Sequence, residues 1–410
     1  VLNGNLFYVR TASILAAAFV SLAIADGRFA IQGAEPRRVP YWDHIQFYRS
    51  PLDYNGEATD NPLVRLQKAY ARDEIVLNSW KPLGYLPDLL KQLAIPVDSQ
   101  VLVPYTGSNN RSVSARRPRA FYFRDDMVIA YVAGQPELEI AVYDAQRGTV
   151  FFSVEQEKAF DLRRRHDCLV CHNNHPTALT GVPGHLAAFE DFDGRALTKR
   201  WHGRYVTGGG PGIVLSANYS FEDQKSLQLP ADQRPKLVGI TDRFETSEYL
   251  SPHSDIVANL ILDHQIHVWN WIARLNIEHQ LNLRSSKDKA DLFLASALLH
   301  TYQEKFDGPI TGTSEFTDWY IRQAPRDPEG RSLSELDLHQ RLFRYGVSPM
   351  IYSRPFQQLP GEVRRRIYSF IDEMLAGTRP LPGRERSPQD RALARSILRA
   401  TIAEYRPAEK

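Results

Sequence analysis

The only two cysteines of this 410-residue chain lie three residues apart, in the stretch Cys168-Leu169-Val170-Cys171-His172. Two thiols at this spacing, with an imidazole straight after, fit four readings. In the first, both thiols form thioethers to the vinyl groups of a haem and His172 ligates the iron. Cysteines three apart on a helical turn share one side, and the next residue points at the iron from the proximal face. In the second, the pair is a redox dithiol, which usually opens a helix in a βαβ unit. No strong parallel-sheet pattern surrounds it here, and a dithiol needs no histidine. The third is zinc. A closed site takes four N/S ligands, typically as two pairs with a long gap, and Cys168, Cys171, His172 and His175 lie too close together to wrap a tetrahedron easily. The fourth is coincidence. A structural disulfide would also be a poor use of the pair, because so small a loop constrains little of the unfolded chain. The haem reading uses every residue of the stretch. It predicts one covalently bound haem c, attached at Cys168 and Cys171, with His172 as proximal axial ligand.

Attachment of this kind takes place outside the cytoplasm, and the first residues agree. Arg10 precedes an apolar run from Ala12 to Ala25 that ends in Ala23-Ile24-Ala25, a small-x-small cleavage site. The run is short for a membrane span. The expectation is a signal peptide over residues 1–25 and a periplasmic mature chain without stable membrane insertion. An uncleaved N-terminal anchor is the competing reading.

An iron bound by His172 has a second axial position, and the chain has 12 histidines. His264 and His267 fall on the apolar stripe of a long helical pattern and are the leading distal candidates. The bland alternative is one or two hydrogen-bonded core histidines. Met350, in Ser-Pro-Met-Ile-Tyr-Ser, is a weaker candidate whose competing reading is a gap-filling core methionine. His185 and His202 lie in a loop-rich region that could fold over a haem. Arg163-Arg164-Arg165 just ahead of the motif could meet haem propionates or an acidic partner; a solvated charged face is the simpler reading. Asp263 is discounted as an orienter of His264, since helix neighbours point apart.

The elements around these residues divide the chain. Asn61-Pro62 reads as an N-cap and a proline at the first helical position, with a helix to about Arg72. A short helix is predicted over Pro87–Ala94. Strand-like runs follow at Gln100, Arg119, Met127, Glu137 and Thr149, with turn chemistry at Asp125-Asp126 and at Ala145–Gly148. They predict an antiparallel meander that ends near Glu155. Pro176–Gly212 reads as loop; its Gly208–Gly212 run lacks the spacing of a phosphate-binding loop. A long helix is predicted from the Ser254-Asp255 cap, and further helices at Lys287–Lys305, Ser314–Arg322, Ser334–Tyr345, Pro360–Ala376 and Pro388–Glu404. The predicted fold class is α+β: a β-rich domain with short helices over residues 26–155, then a mainly helical, haem-bearing domain over residues 156–410. A balance of 50 basic against 48 acidic side chains leaves no footprint for bulk nucleic-acid binding.

The stretches LVRLQKAYARDE, GYLPDLLKQLAIPVDSQVLV, RPRAFYFRDD, CLVCH, GVPGH, SDIVANLILDHQIHVWN and MIYSRPFQQLPGEVRRRIY together resemble a family of exported bacterial proteins that carry one c-type haem motif. The resemblance runs from about Asn61 to Ala376. It implies a secreted haem protein and carries no activity with it. Three functions follow from the residues. The leading one is a monohaem cytochrome that moves single electrons between periplasmic partner proteins. The second is a haem enzyme or small-ligand sensor with an open distal side, suggested by the large size of the chain for one haem. The third is a non-haem binding module with a Cys-x-x-Cys disulfide.

Overall fold

The computed structural model describes residues 47–57, 61–103, 112–114, 116–170, 204–209, 244–282, 287–300, 305–306, 308–381 and 386–405. Its N-terminal half is built on a six-stranded antiparallel sheet in simple chain order. The strands are β1 (Val101–Val103), β2 (Arg119–Arg124), β3 (Met127–Val132), β4 (Glu137–Asp144), β5 (Gly148–Glu155) and β6 (Leu162–Arg165). Two short helices precede it, α1 (Pro62–Ala71) and α2 (Leu86–Gln92). The later part is helical: α3 (Ile256–Gln280), α4 (Lys287–Leu298), α5 (Phe316–Tyr320), α6 (Arg354–Gln357), α7 (Gly361–Ala376) and α8 (Pro388–Thr401). The fold is α+β. Residues Gln46–Lys410 form one compact unit, and Glu155 is the last residue of β5, which pairs with β6.

Local chemistry starts the helices where the sequence places them. Asn61 Oδ1 accepts from Val64 N at 3.0 Å, with Pro62 opening α1. Ser387 Oγ accepts from Asp390 N at 3.0 Å, with Pro388 opening α8. Gly377 closes α7 in the left-handed conformation, φ +82°, which costs glycine little. The strands behave differently. All six residues of β3 are buried, so both faces of the sheet are covered and the run is continuously apolar rather than alternating. Along one face, Val101, Phe121, Phe123, Val128, Ala130 and Tyr143 join the core of α3. The Trp269 indole meets the Tyr143 ring edge-on at 6.3 Å, and the Asn276 amide donates to the carbonyl of Ala145. On the β4–β5 side Tyr54 covers the sheet margin, its hydroxyl donating to Thr149 O at 2.9 Å.

Two segments differ from expectation. Ser334–Tyr345 is not helical; it forms a small turn closed by an antiparallel bridge between Leu336 and Phe343. Asp337 Oδ1 accepts from His339 N and Gln340 N, an Asx turn that competes with the helical ladder, and Leu338 sits at φ +57°. The meander also does not end at Glu155. The charged run Leu162–Arg165 pairs with β5 as the edge strand β6, with Phe151 opposite Arg165. The described start of the glycine run is held rather than free: Gly209 and Thr311 exchange both backbone bonds at 2.9 Å. A Cβ on Gly208, at φ +129°, would lie 2.5 Å from Thr311 O. Among the described residues, no helix is long and apolar enough to cross a membrane.

Candidate functional site

Beyond β6 the chain turns directly into the cysteine motif. Asp167–Val170 forms one 3-10 turn, in which residues three apart share a side. The start of this turn is tied to the sheet by charge. Arg165 grips the Asp167 carboxylate twice, Nε to Oδ1 at 2.8 Å and Nη2 to Oδ2 at 2.6 Å, and reaches Glu137 Oε2 with Nη1 at 3.1 Å. Cys168 is half-buried on this turn and carries a free thiol. Burial pushes its pKa up to about 11, helped by the adjacent Asp167 and opposed by Arg165. The thiol is therefore protonated at neutral pH. Cys171, His172 and His175 lie outside the described residues, as do His185 and His202.

The three arginines before the motif divide as a strand requires, alternate residues facing opposite sides. Arg163 binds Glu155 Oε1 at 2.7 Å and Glu137 Oε1 at 3.2 Å. Arg165 holds Glu137 and Asp167, so both are engaged with carboxylates. Arg164 points the other way, its guanidinium 4.8 Å from the Tyr54 ring centre and 5.4 Å from that of Phe152. The middle arginine is thus packing against aromatic faces, not part of a solvated face. Tyr54 and Glu139 also lie near Cys168, and the Tyr54 ring meets that of His166 edge-on at 6.5 Å. Neither was singled out from sequence, because nothing local ties Tyr54 to a motif more than a hundred residues later.

Each of the three distal candidates has surroundings of its own. His264 is 3% exposed. Its Nε2 lies 2.6 Å from Ser348 Oγ, and its ring meets His300 and Phe343 edge-on at 4.6 and 5.0 Å. It is a hydrogen-bonded core histidine. His267 is half-buried and faces away from the sheet. It lies two positions, about 200° of helical rotation, from the sheet-facing Trp269. Its ring meets Trp271 at 6.4 Å, and Trp271 stacks on Phe293 of α4 at 4.9 Å. Met350 is buried beside Phe123 and Asp125 at the β2–β3 turn. Neighbouring strands are about 4.8 Å apart, so β2 and β6 are separated by roughly 19 Å. Asp263, discounted as a partner of His264, instead accepts from Arg204 Nη2 at 2.5 Å, with both side chains largely buried.

Burial alone holds the His264 imidazole neutral, pushing its pKa down to about 3. An unfolded histidine titrates near 6.5. Between these values the unfolded chain binds a proton that the folded chain refuses. The stability contributed by neutral His264 is complete above about pH 6.5 and is lost as pH falls toward about 3, by at most about 1.4 kcal/mol per pH unit. His264→Gln, which keeps a hydrogen-bonding group toward Ser348, is expected to lose less stability than wild type between pH 7 and pH 5. Urea midpoints at the two pH values measure this; an equal loss in both proteins would assign the acid sensitivity to other groups.

Among the described residues, no three His, Cys, Asp or Glu side chains gather closely enough to hold a metal ion. What the geometry offers is a motif turn fixed to a sheet edge, with a free protonated thiol. No family model, curated protein or solved structure matches this chain.

Proposed function

We propose that the chain is an exported monohaem c-type cytochrome that passes single electrons between periplasmic partner proteins. The observation that carries this reading is the Cys168-x-x-Cys171-His172 spacing in the sequence, with Cys168 on a turn that Arg165 fixes to the sheet. Cys168 and Cys171 would hold the haem by thioethers, with His172 as axial ligand. Haem bound there supplies a one-electron couple. The residues around Cys168 fit such a group. The Cys168 thiol is free, and among the described residues β6 is the last strand of the sheet on that side. A redox dithiol needs the opposite environment, one that stabilises thiolate. Arg165 pins the turn through Asp167, and Arg163 is engaged by Glu155 and Glu137.

The second reading, a haem enzyme or small-ligand sensor with an open distal position, stands beside it; two of the distal candidates have packing roles of their own, His264 with Ser348 and Met350 at the β2–β3 turn. The two readings differ in the sixth ligand. Optical spectra of the periplasmically matured protein, oxidised and reduced, with and without CO, decide between them. The electron carrier is expected to be low-spin when ferric and to resist CO. A high-spin ferric form that binds CO rapidly would replace it with the enzyme or sensor. His264→Ala, His267→Ala and Met350→Leu are each expected to leave the spectrum unchanged. A switch to high spin in any of them would identify that residue as the ligand and overturn the packing described above.

A further inference from the structure

Cys168 stands at the end of a row of charges that begins on the β4–β5 ladder. Glu137 opens β4 and lies directly opposite Glu155, which closes β5. Like charges directly opposite one another repel, and arginines of the edge strand answer them. Arg163 Nη2 lies 2.7 Å from Glu155 Oε1 and 3.2 Å from Glu137 Oε1. Arg165 takes the other oxygen, Glu137 Oε2, with Nη1 at 3.1 Å. Its Nε and Nη2 both go to Asp167, the residue before Cys168.

Arg165 is therefore held on two sides of its guanidinium. That group is a rigid planar fork, so the bond at Nη1 sets the angle at which Nε and Nη2 meet Asp167. Glu137 thus reaches the turn through Arg165, and Asp167 passes the constraint to the half-buried Cys168. A lysine could carry the same charge without carrying the angle, since its ammonium is a point charge on a flexible stem.

The geometry points to Glu137 as a positioning residue: through Arg165 it fixes the turn that carries the first attachment thiol, and so governs how far Cys168 is presented to solvent. That the thiol serves haem attachment rests on the cytochrome reading; the positioning itself does not.

Alkylation by N-ethylmaleimide, a neutral reagent, tests it. The full chain is produced without haem attachment and carries Cys171→Ser, which leaves Cys168 as its one thiol, and the adduct is followed by mass. The rate in urea gives the fully exposed thiol, and the native rate should lie well below it. Arg165→Gln should raise the native rate about two- to fivefold, the population change that one partly exposed ion pair sustains. Lost charge alone would slow the reaction, because Arg165 favours the reactive thiolate. Arg165→Lys should fall between wild type and Arg165→Gln. Glu137→Ala should raise the rate less than Arg165→Gln does, and should add nothing in a chain that already carries Arg165→Gln. An unchanged or slower reaction in Arg165→Gln would make Arg165 a charge partner of the thiol and not a clamp. A further increase from Glu137→Ala in the Arg165→Gln chain would mean that Glu137 acts by its own charge or through general stability. A native rate equal to that in urea would mean that the turn shields nothing. Each of these three results overturns the proposal. Haem content is read separately, on the wild type matured with its motif intact: absence of haem there would remove the cytochrome reading and leave the clamp standing.

Discussion

Protein matured in a host with haem-attachment machinery is expected to carry one haem that survives acid-acetone extraction and denaturation, and Cys168→Ser/Cys171→Ser to carry none. The mass of the wild type should exceed that of its polypeptide by one haem, and the double variant should show the polypeptide mass alone. The loss should be complete because serine forms no thioether to a vinyl group, and His172 alone would leave only a coordinate bond that denaturation breaks. The same measurement separates the readings of the motif. A redox dithiol or a disulfide-bearing binding module predicts an unmodified polypeptide mass in wild type. That result, from a host shown to attach haem to another protein, would end the cytochrome proposal and the haem-enzyme reading together.

Asp255→Ala is expected to be the most damaging single change outside the motif, lowering stability by about 3–5 kcal/mol. Asp255 is fully buried and caps α3, its Oδ1 accepting from Val257 N at 2.7 Å and Ala258 N at 3.3 Å. Oδ2 accepts from Thr313 N at 2.7 Å, Ser314 N at 2.8 Å and Ser314 Oγ at 2.9 Å. One carboxylate therefore ties the start of the core helix to the 311–314 segment. An ordinary N-cap is worth about 1 kcal/mol. The larger figure follows because the donors it serves are mostly buried and would be left without partners. Asp255→Asn should fall between, since its amide can replace one acceptor oxygen but turns a donor toward the others. Urea unfolding at pH 7 measures both. A loss below about 1 kcal/mol for Asp255→Ala would show that water replaces the carboxylate and that the link to Thr313 and Ser314 is weak.

The Cys-x-x-Cys-His spacing, the cap at Asn61, the Asp255 cap and the apolar period of α3 were all legible in the sequence. Each depends on residues within a few positions of one another, where backbone geometry alone decides who meets whom. The same is true of the turns at Asp125-Asp126 and Ala145–Gly148, which made the meander readable. Leu162–Arg165 gave no such signal. Its three arginines read as a charged run, and only the pairing with β5, with Glu137 and Glu155 on one face and Tyr54 on the other, makes it a strand. Ser334–Tyr345 carried a helical pattern that lost to the Asp337 turn and to the bridge between Leu336 and Phe343. The histidines show the limit most directly. Helical spacing placed His264 and His267 on an inward stripe, but α3 is buried on almost all sides, so an inward position does not say toward what. The fold turns Trp269 to the sheet, His264 to Ser348 and His267 to the α4 side. Spacing along a chain determines which residues share a face; the packing of distant segments alone determines what that face meets.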